Sequence, residues 1–161
     1  MANLWISRHF IDEIITDIEK YAPLETGGTF FGYFADNGDV VVTDLIDAGP
    51  DAKRGRYSFE PDQDYQLAEI ERLFILSNGK TTYLGDWHSH PNGSPSLSRK
   101  DEKTLLNIAL STEARCTHPV MVVIGSDPEE WSFNCVKFVH GKRKIWPFYS
   151  CHYENLYLIV D

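Results

Sequence analysis

The chain has 161 residues, of which 42% are hydrophobic, 24% charged and 13% aromatic, the size and composition of one globular domain. Lys and Arg number 15 against 24 Asp and Glu, a formal net charge of -9, so a polyanion is repelled and nucleic acid is not an expected partner. The longest aliphatic run is Val120 to Ile124, far short of the ~18 residues of a spanning helix, and no apolar leader opens the chain, so a cytoplasmic protein without membrane contact is expected.

Phe10, Ile11, Ile14, Ile15, Ile18 and Tyr21 recur at helical spacing after Ser7, a good N-cap, and Pro23 stops the pattern. Thr29 to Phe34 and Val40 to Ile46 are β-rich and joined across Ala35 to Asp39, which predicts a hairpin. The polar stretch Asp47 to Arg56 reads as a mobile flap. A second helix is expected from Pro61 as first helical residue to Asn78-Gly79, burying Leu67, Ile70, Leu73 and Phe74 and exposing Glu69, Glu71 and Arg72.

Thr81 to Trp87 reads as a strand, Pro91 to Leu97 as a loop, and the segment through Leu105, Leu106, Ala109 and Leu110 as a third helix. Pro119 to Ile124, Trp131 to Val139 and Lys144 to Phe148 are three further strand candidates. Helices interspersed with strands around one sheet predict a layered α/β or α+β domain spanning 1–161. Cys116, Cys135 and Cys151 form no CxxC and are expected to be reduced packing residues.

The chemistry concentrates at Trp87-His88-Ser89-His90-Pro91. In an extended chain residues i and i+2 share a face, roughly 6.5 to 7 Å apart at Cα, so His88 and His90 can both address one cation. A hydrolytic zinc site wants three protein ligands and one open position. Ser98-x-x-Asp101 taken alone is a helix capping box. Together these residues spell H-x-H-x7-S-x2-D, which chance would supply roughly once in a thousand chains with this content of His, Ser and Asp.

This run resembles the JAMM motif of the JAB, or MPN-plus, zinc metallopeptidases, which cleave peptide and isopeptide bonds at the C-termini of ubiquitin-like proteins. The family's upstream Glu followed by small residues is matched by Leu24-Glu25-Thr26-Gly27-Gly28. The resemblance implies a three-layer fold with a central mixed sheet and flanking helices, similar to that of cytidine deaminases, although the H-x-E and P-C-x-x-C signature of the deaminases is absent. It also implies Zn2+ held by His88, His90 and Asp101, which would bring the pKa of bound water toward ~7. Glu25 would act as general base and acid, and Ser98 would donate to the oxyanion of the tetrahedral intermediate.

Gly27-Gly28 reads either as a tight turn or as room for a substrate backbone, Trp87 as core, and Asp86 as a group orienting a histidine or as a strand-end surface residue. His9, His118, His140 and His152 show no paired spacing and are read as structural or surface residues.

Blocks such as Arg56 to Asp62 and Gly85 to Pro91 look most like stand-alone bacterial members, often encoded beside E1-like and E2-like conjugation proteins, including in CBASS anti-phage operons where a cyclic-nucleotide synthase (CD-NTase) is released from its conjugates. Two rival readings are a peptidase that processes sulfur-carrier or ubiquitin-like precursors, and a metal-free MPN scaffold. The expected substrate is a protein with a ubiquitin-like or flexible conjugated tail, bound by strand addition.

Overall fold

A computed structural model describes residues 1–127 and 130–161. In chain order the elements are β1 (Asn3–Ile6), α1 (Arg8–Tyr21), β2 (Gly27–Phe34), β3 (Val40–Ile46), β4 (Lys53–Arg54), β5 (Phe59–Glu60), α2 (Gln63–Leu76), β6 (Thr82–His90), α3 (Arg99–Leu110), β7 (Val120–Asp127), β8 (Glu130–Arg143), β9 (Tyr149–Asn155) and β10 (Tyr157–Val160). Eight strands form one mixed sheet in the order β10-β1-β3-β2-β6-β7-β8-β9, and β4 pairs with β5 in a separate ribbon.

The layers follow from which side chains need burial. Ser7 caps α1 by accepting from the Phe10 amide at 3.3 Å, and Ile11, Ile14 and Ile18 then fall on one stripe facing the sheet. They pack with Leu4, Phe30, Leu84 and Trp87, and with Val120, Val122 and Ile124 of β7. On the other face Leu105, Leu106 and Ala109 of α3 cover Met121, Val123, Val136 and Phe138. Strand β7 is therefore buried on both sides, which is why Val120 to Ile124 is apolar without alternation. The result is the three-layer α+β arrangement with a central mixed sheet. Among the described residues no helix is long and apolar enough to cross a membrane.

Four expectations are corrected. Lys144 to Phe148 is not a strand but the turn joining β8 to β9. Its Ile145, Trp146 and Phe148 have strand-forming side chains but stand exposed, and Pro147 offers no amide to a ladder. The cap of α2 is Asp62, whose carboxylate accepts from the Tyr65 amide at 3.1 Å, so Pro61 lies outside the helix. That helix buries Gln66, which donates to the Asp47 carbonyl at 3.2 Å, and leaves Leu67 and Phe74 65% and 46% exposed, because its contact with the sheet is narrow.

The stretch Asp47 to Arg56 is likewise no loose flap. The Glu25 amide donates to Gly55 O at 2.8 Å, the Asp62 amide donates to Ala48 O at 2.8 Å, and Arg54 lies 3.6 Å over the Tyr21 ring. Strands β1, β4, β5, β9 and β10 were not expected from the sequence. The parallel pair β1 and β10 is fastened to the β2–β3 turn by Asp39, whose carboxylate accepts from the Asn3 amide and Trp5 Nε1, both at 2.9 Å. Those hydrogen bonds, led by that from Trp5, lower the Asp39 pKa to about 2.

Candidate metal centre

Strand β6 carries the two histidines, and its phase is set by an irregularity. Phe30 of β2 faces Gly85 and Phe31 faces Tyr83, so Leu84 is an extra residue against β2. Gly85 sits at φ 146°, and a Cβ there would lie 1.8 Å from Val120 O, so only glycine fits. The bulge puts Leu84 and Trp87 in the core against α1, while Asp86, His88 and His90 turn to the opposite face and line a cavity of about 640 Å³. Glu25, Ser98 and Asp101 line the same cavity.

The first turn of α3 delivers Asp101. Ser98 Oγ accepts from the Asp101 amide at 3.1 Å and Asp101 Oδ2 accepts from the Ser98 amide at 2.8 Å, a complete capping box. The same carboxylate reaches both histidines. Oδ1 is 3.0 Å from His88 Nε2, Oδ2 is 3.3 Å from His90 Nε2, and the two Nε2 atoms are 3.2 Å apart. Side-chain exposures of 12%, 19% and 12% leave the three groups shielded with one side open to the cavity. The cap and the ligand-like cluster are thus one construction: the box fixes the rotamer that presents Asp101 to the histidines.

The chemistry of the donor set fits a cation. His90 Nδ1 lies 3.0 Å from Ser94 O, which can only accept, so Nδ1 bears the hydrogen and Nε2 of the neutral ring offers its lone pair. That lone pair faces another imidazole nitrogen and a carboxylate oxygen, and the ligand atoms of His88, His90 and Asp101 all lie within 4.8 Å of one another. Such a convergence is stable only around positive charge, whether a proton or a metal ion.

The shifts of Asp101 and His90 both favour the charged form. Burial works against the Asp101 charge, but hydrogen bonds from His88 and His90 together with the Ser98 amide hold its carboxyl far below the ordinary range. The hydrogen bond to Asp101 raises the pKa of His90, with the Ser94 carbonyl adding to it against burial. Glu25 moves the other way: burial raises its pKa despite the nearby histidines. A carboxyl shifted upward by burial holds a proton more readily than a solvated one, which suits a group that takes up and returns a proton.

Glu25 is aligned by a residue that sequence reasoning passed over. Ser89, between the histidines and fully buried, accepts from the Thr26 amide through Oγ at 3.0 Å, and its own amide donates to Thr26 O at 2.9 Å. Thr26 in turn donates to Asp17 Oδ2 at 2.7 Å and accepts from Arg54 Nε at 3.0 Å. The chain on both sides of Glu25 is thereby tied to β6 and to the ribbon. Alternation along the strand is the only sequence signal that could have marked Ser89 as inward-facing.

Gly27 and Gly28 form no turn, since they begin β2. A Cβ on Gly27 would meet the Trp87 carbonyl oxygen and the Phe59 ring, and one on Gly28 the Ile46 carbonyl oxygen and the Trp87 indole, so both glycines let neighbouring strands and aromatic rings approach closely. Trp87 is core, 3% exposed. The Asp86 carboxylate accepts from Thr29 Oγ1 at 3.0 Å and from Tyr83, so it is neither a surface residue nor bonded to a histidine. The cysteines are free, and burial pushes the Cys116 and Cys135 thiols up to about 12. His140 and His152 stack across β8 and β9, rings 4.3 Å apart, a pairing invisible in their spacing along the chain.

Comparison with known proteins agrees with this construction. A solution structure of protein DSY2949 from Desulfitobacterium hafniense superimposes with a TM-score of 0.69 over 98% of this chain and 92% of that one, at 17% identity, and so shares the fold. A "Probable metalloprotease y4qB" of Sinorhizobium fredii is 41% identical over 131 residues, 80% of this chain and 79% of that protein. A "CD-NTase/cGAS isopeptidase" of Enterobacter hormaechei is 30% identical over 126 residues, 76% of this chain and 67% of that protein. Residues 7–136 match the family model described as prokaryotic homologs of the JAB domain. With the His88, His90 and Asp101 cluster at the heart of the matched region, the chain belongs to the prokaryotic JAB family and is a hydrolase of the metallopeptidase class.

Proposed function

We propose that residues 1–161 act as one catalytic domain, a zinc-dependent isopeptidase that releases a protein from a conjugate by cutting the amide bond after a ubiquitin-like or similarly flexible C-terminal tail. The observation that carries the reading is the convergence of His88, His90 and Asp101 within 4.8 Å, in one cavity with Glu25 and Ser98. Two imidazole nitrogens and one carboxylate oxygen with an open side suit zinc in a hydrolytic site. A zinc ion bound there supplies Lewis acidity and makes water nucleophilic at neutral pH.

The chain's own residues supply the rest. Glu25 takes a proton from the attacking water on its carboxylate and returns it to the leaving amine, so that one acid group serves both halves of the hydrolysis. Ser98 Oγ accepts from the Asp101 amide, which leaves its O–H free to donate to the oxyanion. The Ser94 carbonyl fixes the His90 tautomer, and Ser89 keeps Glu25 in register with the histidines.

The similarity to a CD-NTase/cGAS isopeptidase supports a CD-NTase conjugate as substrate. E1-like and E2-like proteins as functional neighbours, a cytoplasmic site of action and a role in antiviral defence belong to the same proposal. Processing of a sulfur-carrier or ubiquitin-like precursor is the second reading, supported by the same site, which hydrolyses either bond type. The test is metal analysis of the purified protein together with cleavage of a CD-NTase conjugate. About one zinc per chain is expected, and Glu25→Ala should end cleavage while zinc content and fold persist. A wild-type protein that binds no zinc at neutral pH would favour a scaffold instead.

A further inference from the structure

The cavity contains charge that the hydrolytic roles do not use. Of its ionisable lining, Glu25, His88, His90 and Asp101 make up the cluster, and the Asp86 carboxylate is occupied by Thr29 and Tyr83. Two charged side chains remain, Arg56 and Lys100, and both are cations. Both are exposed, and the ion pairs of the described residues involve other groups.

They come from different walls. Lys100 precedes Asp101 in the first turn of α3 and lies close enough for its charge to bear on Glu25. Arg56 sits at the tip of the β4–β5 ribbon, which the Gly55 carbonyl bonded to the Glu25 amide and the Arg54 contact with Thr26 hold in place. Between them the walls include Pro23, Tyr57, Phe59, Pro61 and Pro91, apolar groups that strengthen a Coulombic contact relative to open water. On a chain of net charge -9, these two cations are the fixed positive charge that the cavity offers to an anionic group.

Resting on the peptidase reading above, we propose that this cavity selects substrates that carry a carboxylate beside the scissile bond, bound by Lys100 and Arg56. The carboxylate belongs either to an Asp or Glu side chain in the tail or flanking segment, or to a free chain terminus next to the cut. In either case the cations orient an extended segment across the histidine cluster, and the acidic remainder of the surface disfavours approach elsewhere.

The test uses the zinc-loaded full chain and matched peptide substrates of one tail sequence. One arm places Glu or Gln at each position flanking the scissile bond in C-terminally amidated peptides. A second arm keeps Gln throughout and compares a free terminal carboxylate with its amide. For at least one position kcat/KM should be roughly five-fold higher with the carboxylate, an advantage that shrinks with added salt.

Lys100→Gln with Arg56→Gln should bring that ratio to about one, and Lys100→Glu should invert it. Because each ratio is taken within one enzyme, any effect of Lys100 on Glu25 cancels. A wild-type ratio near one at every position in both arms, or a preference that survives the double substitution, overturns the proposal while the hydrolytic reading stands. Failure of the wild type to cleave any peptide, with a known metallopeptidase as positive control, overturns both.

Discussion

Replacing Ser89 by alanine tests how Glu25, the proposed general base, is held. The hydroxyl accepts from the Thr26 amide at 3.0 Å and lies 3.3 Å from the Thr26 carbonyl, and both residues are 0% exposed. Its loss leaves a buried amide without an acceptor, at about 1–3 kcal/mol, and removes a bond to a carbonyl that still receives the Ser89 amide, at about 0.5–1 kcal/mol. A net loss of about 2–3 kcal/mol corresponds to about 4–12 °C in Tm for a domain of this size.

His88, His90 and Asp101 are untouched, so on the proposed function zinc content should stay at wild-type level while kcat falls roughly ten-fold or more, because the proposed general base would be misaligned by a fraction of an ångström. Urea unfolding, metal analysis and single-turnover hydrolysis read the three quantities. Thr26→Val serves as the contrast, since it removes the bonds to Asp17 and Arg54 but keeps the amide paired with Ser89. Ser89→Ala with stability within about 0.5 kcal/mol of wild type and unchanged kcat would refute the idea that Ser89 fixes Glu25.

Other outcomes follow from the same structure. Asp39→Ala should destabilise the protein at pH 7. Because folding lowers the Asp39 pKa to about 2 from its ordinary value of 3.8, the wild-type advantage is complete above the unfolded value and disappears as pH falls through the folded one, which denaturant titrations between pH 6 and 2 would follow (~4 to ~2 being the decisive window). Gly85→Ala should abolish folding or cost several kcal/mol, since the added Cβ would lie 1.8 Å from a carbonyl oxygen; yield and thermal unfolding report it. Cys116 and Cys135, with pKa values pushed up to about 12, should resist thiol reagents at pH 8 in the native state and react on unfolding, as mass spectrometry of alkylated protein would show. A chelator that strips the metal should lower Tm as well as end activity, and added zinc should restore both.

Short-range chemistry was legible in the sequence and long-range partnership was not. Ser7 and Ser98 were readable as caps because each bonds an amide three residues on, and the apolar stripe of α1 is periodic within one element. His88 and His90 were readable as a pair because strand geometry alone brings them together. Strands β1 and β10 escaped because each has four residues and acquires its identity from a partner at the far end of the chain. Lys144 to Phe148 misled because Ile, Trp and Phe favour strands on half-buried surfaces, and here they are in water. Ser89 and Thr26 are 63 positions apart, so neither polar side chain announces its buried bond.

The extra residue in β6 bears on how such a site could be lost or gained. Side chains alternate along a strand, so the face on which chemistry occurs depends on parity counted from the point where Leu84 is inserted. Deleting one residue there would rotate Trp87 and Ser89 toward the cavity and turn both imidazoles into the apolar layer beneath α1. The placement of both imidazoles in the cavity, and of Trp87 in the core, therefore hangs on one inserted residue rather than on the identity of the ligands alone.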